Sequence, residues 1–238
     1  MALLDDLHQS LPLSLKPFDA AKVRAGLVIV DAVNGFATVG AGYLAPPEPN
    51  DQIIRMVGES ERLARLFLGR GQPVAAFLDT HEPGKHEPPY PPHCEKGTGE
   101  ENLVPALTWL EDAPGVTLIR KDCINGFVGS IDPATGRNRI VDWVNASKLE
   151  AIVVTGICTD ICVMDFVLTM LSARNHAMMP SLRDVVVYGQ GCATYDLSAE
   201  TARILELPQT ACHPQMETHH IGLYLMASRG ALLADAVA

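Results

Sequence analysis

Positive charge is scarce in this 238-residue chain. Lys and Arg number 18 against 28 Asp and Glu, a formal net charge of −10. That balance argues against nucleic acid or an anionic membrane as the main partner. No apolar run approaches the roughly 18 residues of a transmembrane helix. The opening MALLDDLHQSLPLSLKPF has Asp5 and Asp6 where a signal peptide carries positive charge. Gly97, Gly189 and Gly191 occur singly, so there is no phosphate-binding glycine loop. Cys158 and Cys162 form C-x-x-x-C, which is neither a redox C-x-x-C nor a typical zinc spacing. No internal repeat or linker-like break interrupts the chain, and the expectation is one domain over 1–238, with 1–25 as an N-terminal extension.

Apolar side chains are plentiful. Hydrophobic residues make up 47% and charged residues 19%, too apolar a mixture for disorder. A chain of this length buries roughly 70–75% of its unfolded surface. Six cysteines (Cys94, Cys123, Cys158, Cys162, Cys192 and Cys212) in a long chain without a secretory signal read as reduced thiols in the cytoplasm.

Strand-length apolar runs alternate with stretches of helical period. Strands are expected at 26–30, 74–78, 116–119, 151–155 and 184–188, with an edge strand within 231–237. Helices are expected at 51–69, 100–110, from Val163 onward, near 198–206, and from Pro214 to Gly230. The pattern predicts a three-layer α/β/α fold with a mainly parallel sheet of about six strands and right-handed crossovers. Ligands in such folds sit outside the carboxyl ends of the strands. That rule selects Asp31, Asp79, Lys121 and the segment from Cys158 to Cys162.

Each selected residue has an ordinary alternative. Asp31 closes a strand either as a cap or as a general base. Lys121 follows the third strand, where a lysine is usually just solvated. Cys162, at the start of the strongest helix, is either core or a thiol whose pKa the helix N-terminus lowers. Asp79 and His81 share one side of an extended segment, and His93 follows in DTHEPGKHEPPYPPHC. Two imidazoles and a carboxylate suit Zn²⁺, Fe²⁺ or Mn²⁺ with water completing the shell. His86 lies in the same loop and is a rival ligand.

Taken in order, VDAVNGF, DTH, YPPHC, RKDCINGFVGS and GICTDICV resemble the isochorismatase-like cysteine hydrolases, and among them the plant-type nicotinamidases. The resemblance runs from about Leu27 to about Arg229. It implies an isochorismatase-like hydrolase fold and catalytic roles for Asp31, Lys121 and Cys162. It also implies an oxyanion hole from the backbone N–H groups of Cys158 and Cys162, and Phe36 as a pocket aromatic. Asp79, His81 and His93 would hold one divalent ion, zinc before iron or manganese, and a cis peptide would join Ile157 to Cys158. The activity implied is hydrolysis of nicotinamide to nicotinate and ammonia, a step of NAD salvage. Relatives often carry a small residue at position 158, so the family pattern assigns the Cys158 thiol no role.

Two other enzymatic readings use the same fold: hydrolysis of another small amide or ureido compound, and metal-dependent enol-ether hydrolysis, against which Cys162 counts. A non-enzymatic binding module would be expected to have lost the triad. Met170, Met178 and Met179 read as core, Trp109 and Trp143 as core or interface, and His219 and His220 as packing or interface residues, since neighbours on a helix face apart. Leu223, Tyr224, Leu225 and Met226 make the last helix apolar on most sides. It therefore wants cover on more than one face, either from a homo-oligomer (dimer or tetramer) or from the first 25 residues and the edge strand.

Overall fold

A computed structural model describes residues 2–85 and 87–238, with side chains from residue 4 onward. His86 lies outside the described residues. The strands are β1 (Ala25–Val30), β2 (Val74–Asp79), β3 (Val116–Lys121), β4 (Ala151–Ile157), β5 (Asp184–Ala193) and β6 (Leu232–Ala234). All pair in parallel, in the order β3-β2-β1-β4-β5-β6. Every residue of β1, β2 and β4 is buried, as strands covered on both faces require. This is the three-layer architecture expected from the sequence.

The helices are α1 (Ala2–Ser10), α2 (Asn34–Ala37), α3 (Asp51–Gly69), α4 (Gly126–Gly129), α5 (Arg139–Ala146), α6 (Met164–Asn175), α7 (Ala199–Ile204) and α8 (Gln215–Ser228). Alternate side chains of each strand feed two separate cores. Val28, Val30 and Phe77 meet Trp143 of α5, Phe166 of α6 and Leu223 of α8. Leu27, Ile29 and Leu78 meet Met56, Leu63 and Phe67 of α3. Helix α3 starts where the Asn50 side chain accepts the amides of Gln52 and Ile53, satisfying two first-turn donors.

Four details differ from the sequence expectation. Helices α1, α2, α4 and α5 were not foreseen, although Ile140, Trp143 and Val144 are all buried on α5. Residues 100–110 hold a 3-10 turn over Pro105–Glu111 rather than an α-helix. Strand β5 continues to Ala193, past a register shift opposite Val154 and Gly156. Met179 is core but Met178 is 40% exposed, its carbonyl accepting from Asn145.

The N-terminal segment is stitched along the far edge of the sheet. Lys16, Phe18 and Ala20 donate amides to the carbonyls of Leu233, Ala236 and Ala238 at 2.8–3.0 Å. Leu11 O bonds His220 Nε2 at 2.8 Å, and the His8 ring lies 4.4 Å from that of His220. One open side of α8 is thus covered from within the chain.

Between β1 and β4 the order of connection reverses direction, and the crevice this opens lies at their carboxyl ends. Asp31, Asp79, Lys121 and the turn after β4 all end up there.

Candidate active site

Asp31 follows directly on β1 with φ of +51°, a left-handed conformation that is uncommon outside glycine. It is wholly buried, and its Oδ2 lies 2.8 Å from Lys121 Nζ. Lys121 Nζ also donates to Asp79 Oδ1 at 2.8 Å. One buried ammonium therefore joins the ends of three neighbouring strands. With both carboxylates ionised, this trio carries one uncompensated negative charge in a buried place, which is costly unless a further cation sits nearby.

The place for that cation is on the other side of Asp79. Its Oδ2 lies 3.0 Å from His81 Nε2 and 3.2 Å from His93 Nε2. All three residues are buried, and their ligand atoms lie within 4.8 Å of one another. The two histidines are twelve residues apart, yet the loop folds back on itself. His81 donates its amide to Cys94 O at 3.0 Å, and Lys96 donates to His81 O at 2.9 Å. Glu100 and Glu101 then hold the loop by accepting the amides of Cys94, Gly97 and Gly99. His93 Nδ1 donates to Pro91 O at 2.7 Å, which leaves Nε2 with a free lone pair aimed at Asp79. Two nitrogens, one carboxylate and an orphan charge fit a divalent metal.

Glu87 was not singled out in the sequence. Its Oε2 lies 3.9 Å from both His81 Nε2 and His93 Nε2, and its Oε1 accepts the Ile124 amide at 2.8 Å. Tyr90 was also missed; its ring stands 6.2 Å from that of His93, with the Phe36 ring at 5.6 Å. Both residues sit inside the segment between the two histidines, and that was the available signal.

Strand β4 ends at Gly156 and Ile157, and the Ile157–Cys158 peptide is cis. A wide turn over Thr159–Val163 carries Cys162 and runs into α6. Amides at such a start lack partners within the helix, and the dipole there is positive. Gly156 has φ of +127°, and a Cβ on it would stand 2.0 Å from Val30 O. Only glycine lets β4 lie this close to β1.

The charges follow from these contacts. Burial pushes Asp31 up to about 6, while Lys121 and, more weakly, the nearby Cys162 thiol pull it back. Burial also works against Asp79, but Lys121, His81 and His93 outweigh it and hold the carboxyl well below its usual range. Lys121 is desolvated, yet Asp31, Cys162 and Asp79 keep it firmly protonated. Cys162 departs from expectation: burial and the charge of Asp31 raise its pKa, overriding Lys121. The resting group is a thiol, and its proton must be removed during attack. Burial likewise pushes Cys158 up to about 12, beside the Thr194 hydroxyl and the Tyr195 amide.

Known proteins can now be set beside this geometry. Residues 25–218 match the Isochorismatase domain. The chain is 55% identical to Nicotinamidase 1 of Arabidopsis thaliana over 212 residues, 89% of this chain and 86% of that protein. Among solved structures, a nicotinamidase from Bacillus subtilis superposes with a TM-score of 0.64 at 18% identity, covering 89% of this chain and 99% of that one. A pyrazinamidase of Pyrococcus horikoshii, in complex with zinc, gives 0.62 at 17% identity over 89% and 98%. These two support the fold. The domain match and the Arabidopsis relative together establish that the chain belongs to the isochorismatase domain family.

Proposed function

We propose that this protein hydrolyses nicotinamide to nicotinate and ammonia through a thioester on Cys162. The observation that carries the reading is Lys121, buried and bridging Asp31 of a general-base pair to Asp79 of a metal-ligand set. The 55% identity to Arabidopsis Nicotinamidase 1 supports the choice of amide.

Asp31, its pKa raised to about 6, is mostly ionised at neutral pH and still basic enough to accept a proton. It takes the thiol proton as Cys162 Sγ bonds to the carboxamide carbon. The oxyanion that forms is met by the backbone N–H groups of Cys158 and Cys162. As the C–N bond breaks, Asp31 passes the proton to the departing nitrogen, which leaves as ammonia. Asp31 then deprotonates a water molecule, which attacks the thioester, releases nicotinate and restores the thiol. Lys121 keeps Asp31 anionic in the first step and stabilises charge on sulfur. Phe36 lines the ring pocket. Asp79, His81 and His93 would hold a divalent ion, zinc before iron or manganese, which would supply a Lewis-acidic position for the pyridine nitrogen. These residues thereby orient the carboxamide over Cys162.

The same reading places the protein in the cytoplasm, in NAD salvage, as a homo-oligomer, dimer or tetramer. Ammonia release across nicotinamide, pyrazinamide and ureido compounds tests the substrate: nicotinamide is expected to give the highest kcat/KM, and a preference for a ureido compound overturns the choice. The metal is tested in parallel. Elemental analysis is expected to find about one metal per chain in the wild type and far less in His81→Ala; equal content would move the ligand role elsewhere.

A further inference from the structure

Behind the nucleophile turn lies a buried histidine that the mechanism above does not use. His213 is 7% exposed. Its Nε2 is 2.8 Å from Asp160 Oδ2, and its Nδ1 is 2.9 Å from the carbonyl oxygen of Tyr195. The Thr218 hydroxyl, 3.3 Å from the same Nδ1, gives its proton to Pro214 O at 3.0 Å. Each ring nitrogen thus has an oxygen acceptor at 2.8–2.9 Å, Asp160 Oδ2 on one side and Tyr195 O on the other. A neutral imidazole has one donor, and two donors require the imidazolium. Asp196 adds a second nearby negative charge, and although burial opposes the cation, Asp160 and the Tyr195 carbonyl raise the pKa of His213. The ring also stacks on Tyr195, with centroids 3.8 Å apart and planes within 16°, an arrangement that favours a cation.

The pair ties together parts of the fold that meet at the nucleophile. Asp160 lies two residues before Cys162. Its Oδ1 accepts the Thr194 hydroxyl at 2.7 Å, so its two oxygens hold Thr194 and His213 together. The backbone of Thr194 is gripped as well: Gln52 Oε1 of α3 accepts its amide at 2.8 Å, and Gln215 Nε2 of α8 donates to its carbonyl at 2.6 Å. From the α8 side, Gly222 comes so close that a Cβ there would lie 2.9 Å from Asp160 Cα. Thr194 and Tyr195 in turn touch the Cys158 thiol. The turn bearing Cys158 and Cys162 is therefore braced from behind through one ionic hinge.

We propose that His213, held as an imidazolium between Asp160 and the Tyr195 carbonyl, is a positioning residue that fixes the Cys158–Cys162 turn for attack. The inference rests on the reading of Cys162 as nucleophile. The hydrogen bonds of His213 run to Asp160, Tyr195 and Thr218 rather than to Cys162 or Asp31, so its loss acts on the turn: kcat falls while KM holds.

The test uses the zinc-loaded full chain with nicotinamide, and compares wild type with His213→Gln and Asp160→Asn. Glutamine can donate to one acceptor but not to both. The expected result is a fall in kcat of about tenfold with KM within about twofold, and slower alkylation of Cys162 by iodoacetamide, read on its peptide by mass. Folded variants that keep wild-type kcat and alkylation rate overturn the proposal. A second measurement needs no variant to fold. Ring ¹⁵N shifts of His213 in the wild type, at about pH 7, should show both nitrogens protonated; one bare nitrogen overturns it. Wild-type Cys162 that alkylates faster than the variants, with no ammonia from nicotinamide, would support the brace and contradict the substrate instead.

Discussion

Lys121 is the residue on which the site's electrostatics turn. It stands 2.8 Å from carboxylates on both sides with no exposed side-chain surface, so its removal would leave both buried carboxylates without their shared cation. Its two neighbours nevertheless titrate apart. Asp79, with two imidazoles beside it, is held ionised, while Asp31, with Lys121 beside it, is pushed by burial up to about 6. Pairs of carboxyls driven apart in this way divide roles between them. The base must be unprotonated to accept the thiol proton, so activity is present above this pKa and is lost as pH falls through it. The expected kcat/KM profile for nicotinamide has an acid limb centred near 6. A profile that stays flat to about pH 4.5 would mean that Asp31 keeps an ordinary carboxyl pKa and is not the titrating base.

At the scale of elements, the strands were legible because parallel strands covered on both faces read as unbroken apolar runs, and 26–30 and 74–78 fall inside β1 and β2. The strand-end rule then found Asp31, Asp79 and Lys121 without any knowledge of the sheet order. Helix α5 was hidden because it is short and only three of its eight residues are buried. Glu87 and Tyr90 were hidden for another reason: they lie in an irregular loop, where no periodicity marks which side chain turns inward. The raised pKa of Cys162 was also beyond sequence reasoning, since the helix N-terminus is visible in a pattern and the depth of burial is not. Gly156 belongs at this scale too. Its hydrogen faces the Val30 carbonyl, and an added methyl would meet backbone rather than a movable side chain. Gly156→Ala is expected to cost about 3 kcal/mol or more, read as a lower urea midpoint or loss of soluble protein. Gly26→Ala, whose Cβ would meet the tips of Leu149 and Trp143 at 2.6 Å, should cost less because those side chains can shift. Equal stability of wild type and Gly156→Ala would contradict the close approach of β4 to β1.

For the whole molecule, the segment before β1 both extends the sheet edge beyond β6 and shields α8, which weakens the argument for a partner from α8 alone. Exposed apolar side chains remain elsewhere, among them Tyr43 at 82% and Ile204 at 64%, and these are what an oligomer would cover. Light scattering at micromolar concentration is expected to give a multiple of the 25.6 kDa chain mass; the single-chain mass would leave a monomer whose site is complete within one chain. The activity itself is decided at Cys162. Acid quenching of the wild-type protein during turnover of nicotinamide, followed by peptide mass analysis, should find a nicotinoyl group on the Cys162 peptide, and Cys162→Ala should release no nicotinate. Steady turnover with no acyl group on that peptide, or with activity surviving in Cys162→Ala, would contradict the thioester route.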